Sequence, residues 1–281
     1  PIAGTPSDKL GIMSGDKIIE IEGVSAYKIK QSEVVEKLRG PKGSKVNVTI
    51  VRFGNEDPLY FTIVRDEIPI FTVIATFMLN ENTGYIYLTR FARSSFDEIK
   101  ESVEALEKEG MTQLILDLRS NGGGLLDQAW RITDMFVMGG DTIVYTRAKQ
   151  DAIADVYKSE NQNPYDFPMI ILVNRASASA SEIVSGALQD FDRALIVGET
   201  TFGKGLVQRP FPLSDGSTIH LTIARYYTPS GRLIQRPYGD GTSDYYLDFS
   251  EINRDSILAI DFEKRPKFQT RAGRTVYGGG G

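Results

Sequence analysis

The stretch "NRASASASEIVSGALQD", residues 174–190, follows the apolar run "MIILV" at 169–173 and precedes an amphipathic segment. A short unbroken apolar run bounded by small polar residues predicts a buried strand, and the segment after it predicts a helix. The junction between them carries serines on alternate positions, Ser177, Ser179 and Ser181. Two readings of Ser179 compete. Ser179-Ala-Ser-Glu182 has the S-x-x-E spacing of a capping box, in which the serine hydroxyl and the glutamate carboxylate satisfy the free N–H groups of a helix start. A serine at the carboxyl end of a sheet strand is also exposed beside those N–H groups, where an oxyanion is stabilised. On this stretch alone the cap is the better reading.

Working outward, the chain falls into two textures. Residues 1–66 carry a short helical piece, alternation at Lys17–Glu22, a hairpin-like break at Glu22-Gly23 and an amphipathic helix with Val34, Val35 and Leu38 on one face. Gly40-Pro41 stops that helix, and β-rich runs follow at Lys45–Arg52 and Leu59–Arg65. From Pro69 the pattern alternates: strand Gly84–Leu88, helix Ser94–Glu109 with Phe96, Ile99, Val103 and Leu106 on one face, strand 113–119, then a glycine loop and helix in "NGGGLLDQAWRITDMFV". The strands "TIVYTRA", "MIILVN" and "ALIVGE" continue an α/β pattern of crossover units on a mostly parallel sheet. After Gly205 the run "GSTIHLTIARYYTPSGRLI" predicts an antiparallel hairpin, and 237–267 reads as polar and irregular.

Composition narrows the function. With 281 residues and 41% hydrophobic content the chain buries a sizeable core as one large domain or two unequal ones. Lys and Arg number 32 against 37 Asp and Glu, well mixed, which leaves no basic footprint for nucleic acid or anionic lipid. The absence of cysteine excludes disulfides, thiolate metal sites and cysteine nucleophiles. No run approaches 18 apolar residues and no leader precedes Pro1, so neither a spanning helix nor a signal peptide is expected here. The start at Pro1 and the end on "VYGGGG" read as a fragment cut at both ends.

A serine hydroxyl is almost un-ionised at neutral pH, so a nucleophilic Ser179 requires a base. The single histidine, His220, lies in "STIHLTIA", on a strand face shared with Thr218 and Thr222 and not on a functional loop, which argues against a Ser-His-Asp triad. Lysine serves where water is removed, because desolvation penalises an ammonium and lowers its pKa from roughly 10.4. "ETTFGKGLVQRPF" offers Lys204 between Gly203 and Gly205, with Phe202, Leu206 and Val207 around it. Lys204 is therefore a candidate desolvated base, with Gln208 able to hydrogen-bond and orient its amine; on composition alone a solvated turn with an ordinary lysine is the better reading of "FGKG". "LILDLRSNGGGLLDQA" lacks the G-K-[ST] and G-x-G-x-x-G spacings of nucleotide loops.

At "SASASEI" and "VGETTFGKGLVQ" the chain resembles the carboxyl-terminal processing (tail-specific) serine peptidases. That resemblance implies a Ser-Lys dyad of Ser179 and Lys204 supported by Gln208, with Ser177 and Ser181 as bystanders that keep the turn small and Glu182 as a cap. The glycine stretch is similar to the family's D-L-R-x-N-x-G-G-x-L. It implies an oxyanion hole from the amides of Gly124, with Gly123 as the alternative, and Ala180, while Asp117, Arg119 and Asn121 brace the loop. "YYTPSGRLIQ" at 226–235 and "AGRTVYGGGG" resemble further family blocks, and residues 1–66 resemble a PDZ domain truncated at its N-terminus.

The implied fold is an α/β peptidase core of β-β-α units related to the crotonase-like superhelix, residues 67–281 and truncated at the C-terminus, behind an α+β PDZ domain at 1–66. The implied activity is endoproteolysis of protein substrates near their C-termini through an acyl-enzyme, with no metal and no cofactor. Expected partners are proteins or peptides with accessible C-terminal tails, with a homo-oligomer or an adaptor protein as further expectations and no nucleic acid. The resemblance also implies a periplasmic or other extracytoplasmic location, and a hinge in "IVRDEIPI" at 63–70. The competing reading is a peptide-binding PDZ scaffold with an inactive core. A crotonase-like acyl-transfer enzyme requires a CoA phosphate site that the sequence does not offer.

Overall fold

The computed structural model describes residues 1–2, 4–68, 71–148, 152–238 and 265–281. The last two residues of "IVRDEIPI" and most of the polar stretch 237–267 lie outside the described residues. The chain divides into two units, Pro1–Ile70 and Phe71–Gly281.

The first unit contains α1 (Pro6–Lys9), β1 (Lys17–Ile21), β2 (Val24–Ser25), α2 (Gln31–Leu38), β3 (Lys45–Val51) and β4 (Leu59–Val64), with sheet order β2-β1-β3-β4. Glu22 and Gly23 form the two-residue connection of β1 to β2, both with positive φ (52° and 73°), as the favoured hairpin turn requires. Ile21, Val46, Val48 and Ile50 form the core, and Val34 and Leu38 of α2 pack on it. Val35 is exposed, because residues four apart on a helix share a face and adjacent ones do not. Arg65 closes the end of α2 by donating from Nε to Leu38 O at 2.7 Å and from Nη2 to Lys37 O at 2.9 Å, satisfying carbonyls the helix leaves open.

The second unit holds β5 (Val73–Met78), β6 (Thr83–Leu88), α3 (Ser95–Lys108), β7 (Gln113–Asp117), α4 (Leu126–Asp134), β8 (Thr142–Ala148), β9 (Ile153–Lys158), β10 (Met169–Val173), α5 (Ala180–Asp190) and β11 (Leu195–Gly198). It continues with β12 (Leu206–Pro212), β13 (Thr218–Tyr227), β14 (Lys267–Gln269) and β15 (Thr275–Tyr277). One sheet has the order β11-β10-β7-β6-β5, parallel throughout except for β5. Alternate residues such as Ile86, Leu116 and Ile171 pack with Ile99, Ile132 and Val184 of α3, α4 and α5 in one core. The parallel register aligns the carboxyl ends of β7 and β10, so the loops after them meet at one edge.

The second sheet, β12-β13-β8-β9, is antiparallel, and β8 belongs to it rather than to the parallel sheet. Its burial explains this: Val144 and Thr146 are buried while Tyr145 and Arg147 are half-buried, which suits an antiparallel sheet with one open face. Strands β14 and β15 have no counterpart in the sequence reading, and neither do β5 and β9 in the two larger sheets of this unit. The latter two are edge strands, and four successive residues at the start of β9 are exposed, so no periodicity marks it.

Candidate active site

Three segments build the site: the turn from β10 into α5, the glycine loop from β7 into α4, and the loop from β11 into β12. The first places Ser179 at the N-cap of α5 with φ 57° and ψ −112°. A non-glycine residue there costs on the order of 1–3 kcal/mol, and such strain persists where surrounding structure over-determines it. Strand-to-helix turns that raise a nucleophilic serine have this character. Ser179 and Glu182 stand in the capping-box positions, with the Ser179 N–H donating to Glu182 Oε2 at 2.8 Å and the Glu182 N–H donating to Ser179 O at 2.9 Å.

The flanking serines, bystanders to the chemistry in the sequence reading, have a structural part beyond keeping the turn small. Both are wholly buried, and each donates its hydroxyl to a main-chain carbonyl of the segment after β7: Ser177 to Leu118 O and Ser181 to Asn121 O, both at 2.8 Å. The Ala178 N–H adds a bond to Asn121 O at 3.0 Å. The serine turn and the glycine loop are thus sewn together on both sides of Ser179.

Within the glycine loop, Asn121 donates from Nδ2 to Leu88 O at 2.9 Å and accepts the Gly123 N–H on Oδ1 at 2.9 Å. Arg119 grips Asp117 with Nε and Nη2, and the Tyr85 hydroxyl donates to the same carboxylate at 2.6 Å. Burial pushes the Asp117 carboxyl up, but those bonds outweigh it and hold it below the ordinary carboxylate range. All three residues brace the loop, as read from the sequence. Gly123 lies so close to the serine turn that a Cβ there would sit 2.6 Å from Ala178 O and 2.8 Å from Ser179 Cβ. A Cβ on Gly124, whose φ is 147°, would collide with the Phe91 carbonyl. The Gly123 N–H is spent on Asn121, whereas those of Gly124 and Ala180 donate to no acceptor among the described residues.

The third segment carries Lys204, and a residue twenty-two positions upstream fixes it. Glu182, 3% exposed, accepts Thr201 Oγ1 at 2.7 Å and the Gly203 N–H at 2.6 Å on Oε1, and the Lys204 N–H at 2.8 Å on Oε2. That Oε2 atom is the one that accepts the Ser179 N–H. A single buried oxygen therefore ties together the main chains of Ser179 and Lys204. Burial pushes the Glu182 carboxyl up from its ordinary range, while the hydrogen bonds pull the other way. The Phe202 N–H donates to Ser177 O at 2.9 Å, and buried Gln235, from "YYTPSGRLIQ", accepts the Gly205 N–H at 3.0 Å.

The Lys204 side chain follows the solvated-turn reading of "FGKG" and not the desolvated one: Gly203 and Gly205 are buried but Lys204 between them is exposed. Removing an ammonium from water without an anionic partner costs several kcal/mol, and the adjacent carboxylate, Glu182, is already engaged by hydrogen-bond donors. Gln208, on β12 opposite Thr222, is exposed too. Among the described residues no hydrogen bond joins the Ser179 hydroxyl, the Lys204 ammonium and the Gln208 carboxamide. His220 is exposed on β13 opposite Pro210. Among the described residues no group of three or more His, Cys, Asp or Glu side chains is placed to hold a metal ion, and no helix is long and apolar enough to cross a membrane.

A serine raised on a strained turn against a glycine loop with open amides is an arrangement that serine hydrolases use. Comparison with known proteins gives the family: the chain belongs to peptidase family S41, the carboxyl-terminal processing proteases, matched over residues 82–243, and residues 1–52 match a PDZ domain. It is 40% identical over 232 residues to the carboxyl-terminal-processing protease of Synechocystis sp., covering 82% of this chain and 54% of that protein. It is 38% identical to the carboxy-terminal processing protease CtpA of Bacillus subtilis, covering 84% and 50% respectively. The chain thus spans about half the length of these curated relatives. Among solved structures it is similar to the photosystem II D1 C-terminal processing protease, with 33% identity and a TM-score of 0.54 over 84% of this chain and 64% of that one. The mixed α/β peptidase core behind a PDZ domain is as the sequence indicated.

Proposed function

We propose that this chain is the catalytic part of a serine endopeptidase that cuts protein substrates near their carboxyl termini, with Ser179 as nucleophile and Lys204 as general base. The observation that carries the reading is the shared Glu182 oxygen, which holds both residues' main chains at one point. A substrate chain laid over the exposed Lys204 strips its water, and the neutral amine then accepts the Ser179 proton as Oγ attacks the scissile carbonyl carbon. The open Gly124 and Ala180 amides face the negative charge that develops on the carbonyl oxygen.

As the C–N bond breaks, the Lys204 ammonium returns that proton to the leaving amine, and the acyl group remains as an ester on Ser179. Water then attacks the ester, giving a proton to Lys204, and the Ser179 oxygen leaves and recovers its hydrogen. Gln208 is the candidate support for the amine, reaching it once substrate closes the site; catalytic hydrogen bonds are often loose before substrate binds. The carboxyl-terminal preference is drawn from the named activity of the relatives.

The test is proteolysis of an unstructured protein. Ser179→Ala is expected to abolish cleavage while circular dichroism shows an intact fold; cleavage at the wild-type rate would overturn the mechanism and leave a peptide-binding scaffold as the better reading.

A further inference from the structure

The open face of the second sheet carries charge that the mechanism leaves unused. Arg147 of β8 stands directly across from Arg225 of β13, and the row two residues away pairs Tyr145 with Tyr227. Their rings stack at 5.3 Å, and the Arg147 guanidinium lies 5.5 Å from the Tyr145 centroid and 5.0 Å from that of Tyr227. The alternate residues Ala224, Tyr226, Val144 and Thr146 are buried, so the arginines and tyrosines face away from the helices.

Like charges directly opposite in an antiparallel pair repel, and neither guanidinium is paired with a carboxylate among the described residues. The Arg147 Nε is buried without a hydrogen-bond partner among the described residues. Asp155 on neighbouring β9 is turned to Thr146 instead, with its N–H 3.1 Å and its Oδ2 3.4 Å from Thr146 Oγ1. In a chain of net charge −5, this pair is not part of a generally basic surface.

Its location relates it to the reacting groups. Leu206 is the β12 partner of Arg225, lies two residues beyond Lys204, and shares its strand face with Gln208. Strands about 4.8 Å apart put Arg147 roughly 10 Å from Leu206, a span that about three residues of extended chain cover.

We propose that Arg147 and Arg225 form a subsite for an acidic side chain, Asp or Glu, of the polypeptide being processed. A terminal carboxylate is captured in nests of backbone N–H groups, and here those of β8 and β13 are spent on the sheet ladder. A guanidinium fork takes a side-chain carboxylate in bidentate fashion, and the stacked tyrosines supply a flat apolar wall beside it. The inference rests on the peptidase reading for the course of the substrate, but its test measures binding, so the two fail separately.

The experiment uses the full chain carrying Ser179→Ala, to block turnover, and fluorescein-labelled unstructured peptides of about twelve residues. A single Glu is walked along the sequence, each peptide having a Gln counterpart and both amidated and free-acid termini. Fluorescence anisotropy is expected to find a position where the amidated Glu peptide binds roughly tenfold tighter than its Gln counterpart, an advantage that shrinks with added salt. Arg147→Gln or Arg225→Gln should reduce it, and the double variant should erase it while affinity for the Gln peptide and the circular dichroism spectrum stay unchanged. Arg147→Lys should keep only part of it. A Glu advantage at no position, one that survives the double variant, or arginine dependence confined to free-acid peptides would each overturn the proposal.

Discussion

Replacing Glu182 probes the joint between the serine and lysine segments. Its carboxylate accepts three main-chain N–H groups, from Ser179, Gly203 and Lys204, and the Thr201 hydroxyl. In Glu182→Ala all three N–H groups lose their acceptor in a buried site, and unsatisfied buried donors cost about 1–3 kcal/mol each. Allowing for partial relaxation, the loss should be about 4 kcal/mol. In Glu182→Gln the remaining oxygen can keep Ser179 and Lys204 while the amide turns to the rotatable Thr201 hydroxyl, so one N–H, that of Gly203, is left facing a donor. That should cost about 2 kcal/mol. For a unit of this size 1 kcal/mol shifts Tm by roughly 2–4 °C, so calorimetry should record drops of about 4–8 °C for Gln and about 8–16 °C for Ala. Burial raises the Glu182 carboxyl in the folded state, so the native protein holds this proton more tightly than the unfolded chain. Its stabilising contribution is then full below the ordinary value and lost as pH rises through the folded one. The Gln variant has no such loss, so its deficit relative to wild type should shrink as pH rises above about 4.5. A Glu182→Ala protein melting within 2 °C of wild type, by this scale under about 1 kcal/mol, would refute the joint.

Three further substitutions test other parts of the account. Ser179→Gly relieves the positive φ and should melt higher than Ser179→Ala by the equivalent of about 1 kcal/mol, with neither active; equal melting in both would remove the strain argument. Gly124→Ala forces a methyl group into the Phe91 carbonyl and should destabilise by about 3 kcal/mol or more in urea unfolding, a result that a near-neutral midpoint would contradict. Asp190→Asn leaves the buried Arg232 guanidinium, now 2.6 Å from Asp190 Oδ1, without its counter-charge and should cost about 3–5 kcal/mol; a loss below about 1 kcal/mol would show the pair to be dispensable.

The contacts that were legible in the sequence are mostly the local ones. The S-x-x-E spacing marks the start of α5, and apolar spacing marks α3, because both are set within one or two helical turns. The additional reach of Glu182 is not local: its acceptor oxygens meet donors 19 to 22 residues away, across a whole β-strand. Ser177 and Ser181 look like spacers in sequence because their acceptors lie 59 and 60 residues upstream, brought near only when β7 and β10 pair. Flanking glycines suggest a buried Lys204, but Gly203 and Gly205 bury their own backbones and leave the side chain between them in water. The placement of β8 turned on which sheet covers its inner face, a question that its own alternation does not answer.

Mass spectrometry of the protein after exposure to a fluorophosphonate bears most directly on whether a lysine amine drives attack by the central serine. The account predicts a single phosphonylated site at Ser179 and no adduct in Lys204→Ala. Modification of Ser179 at an undiminished rate in that variant would contradict it.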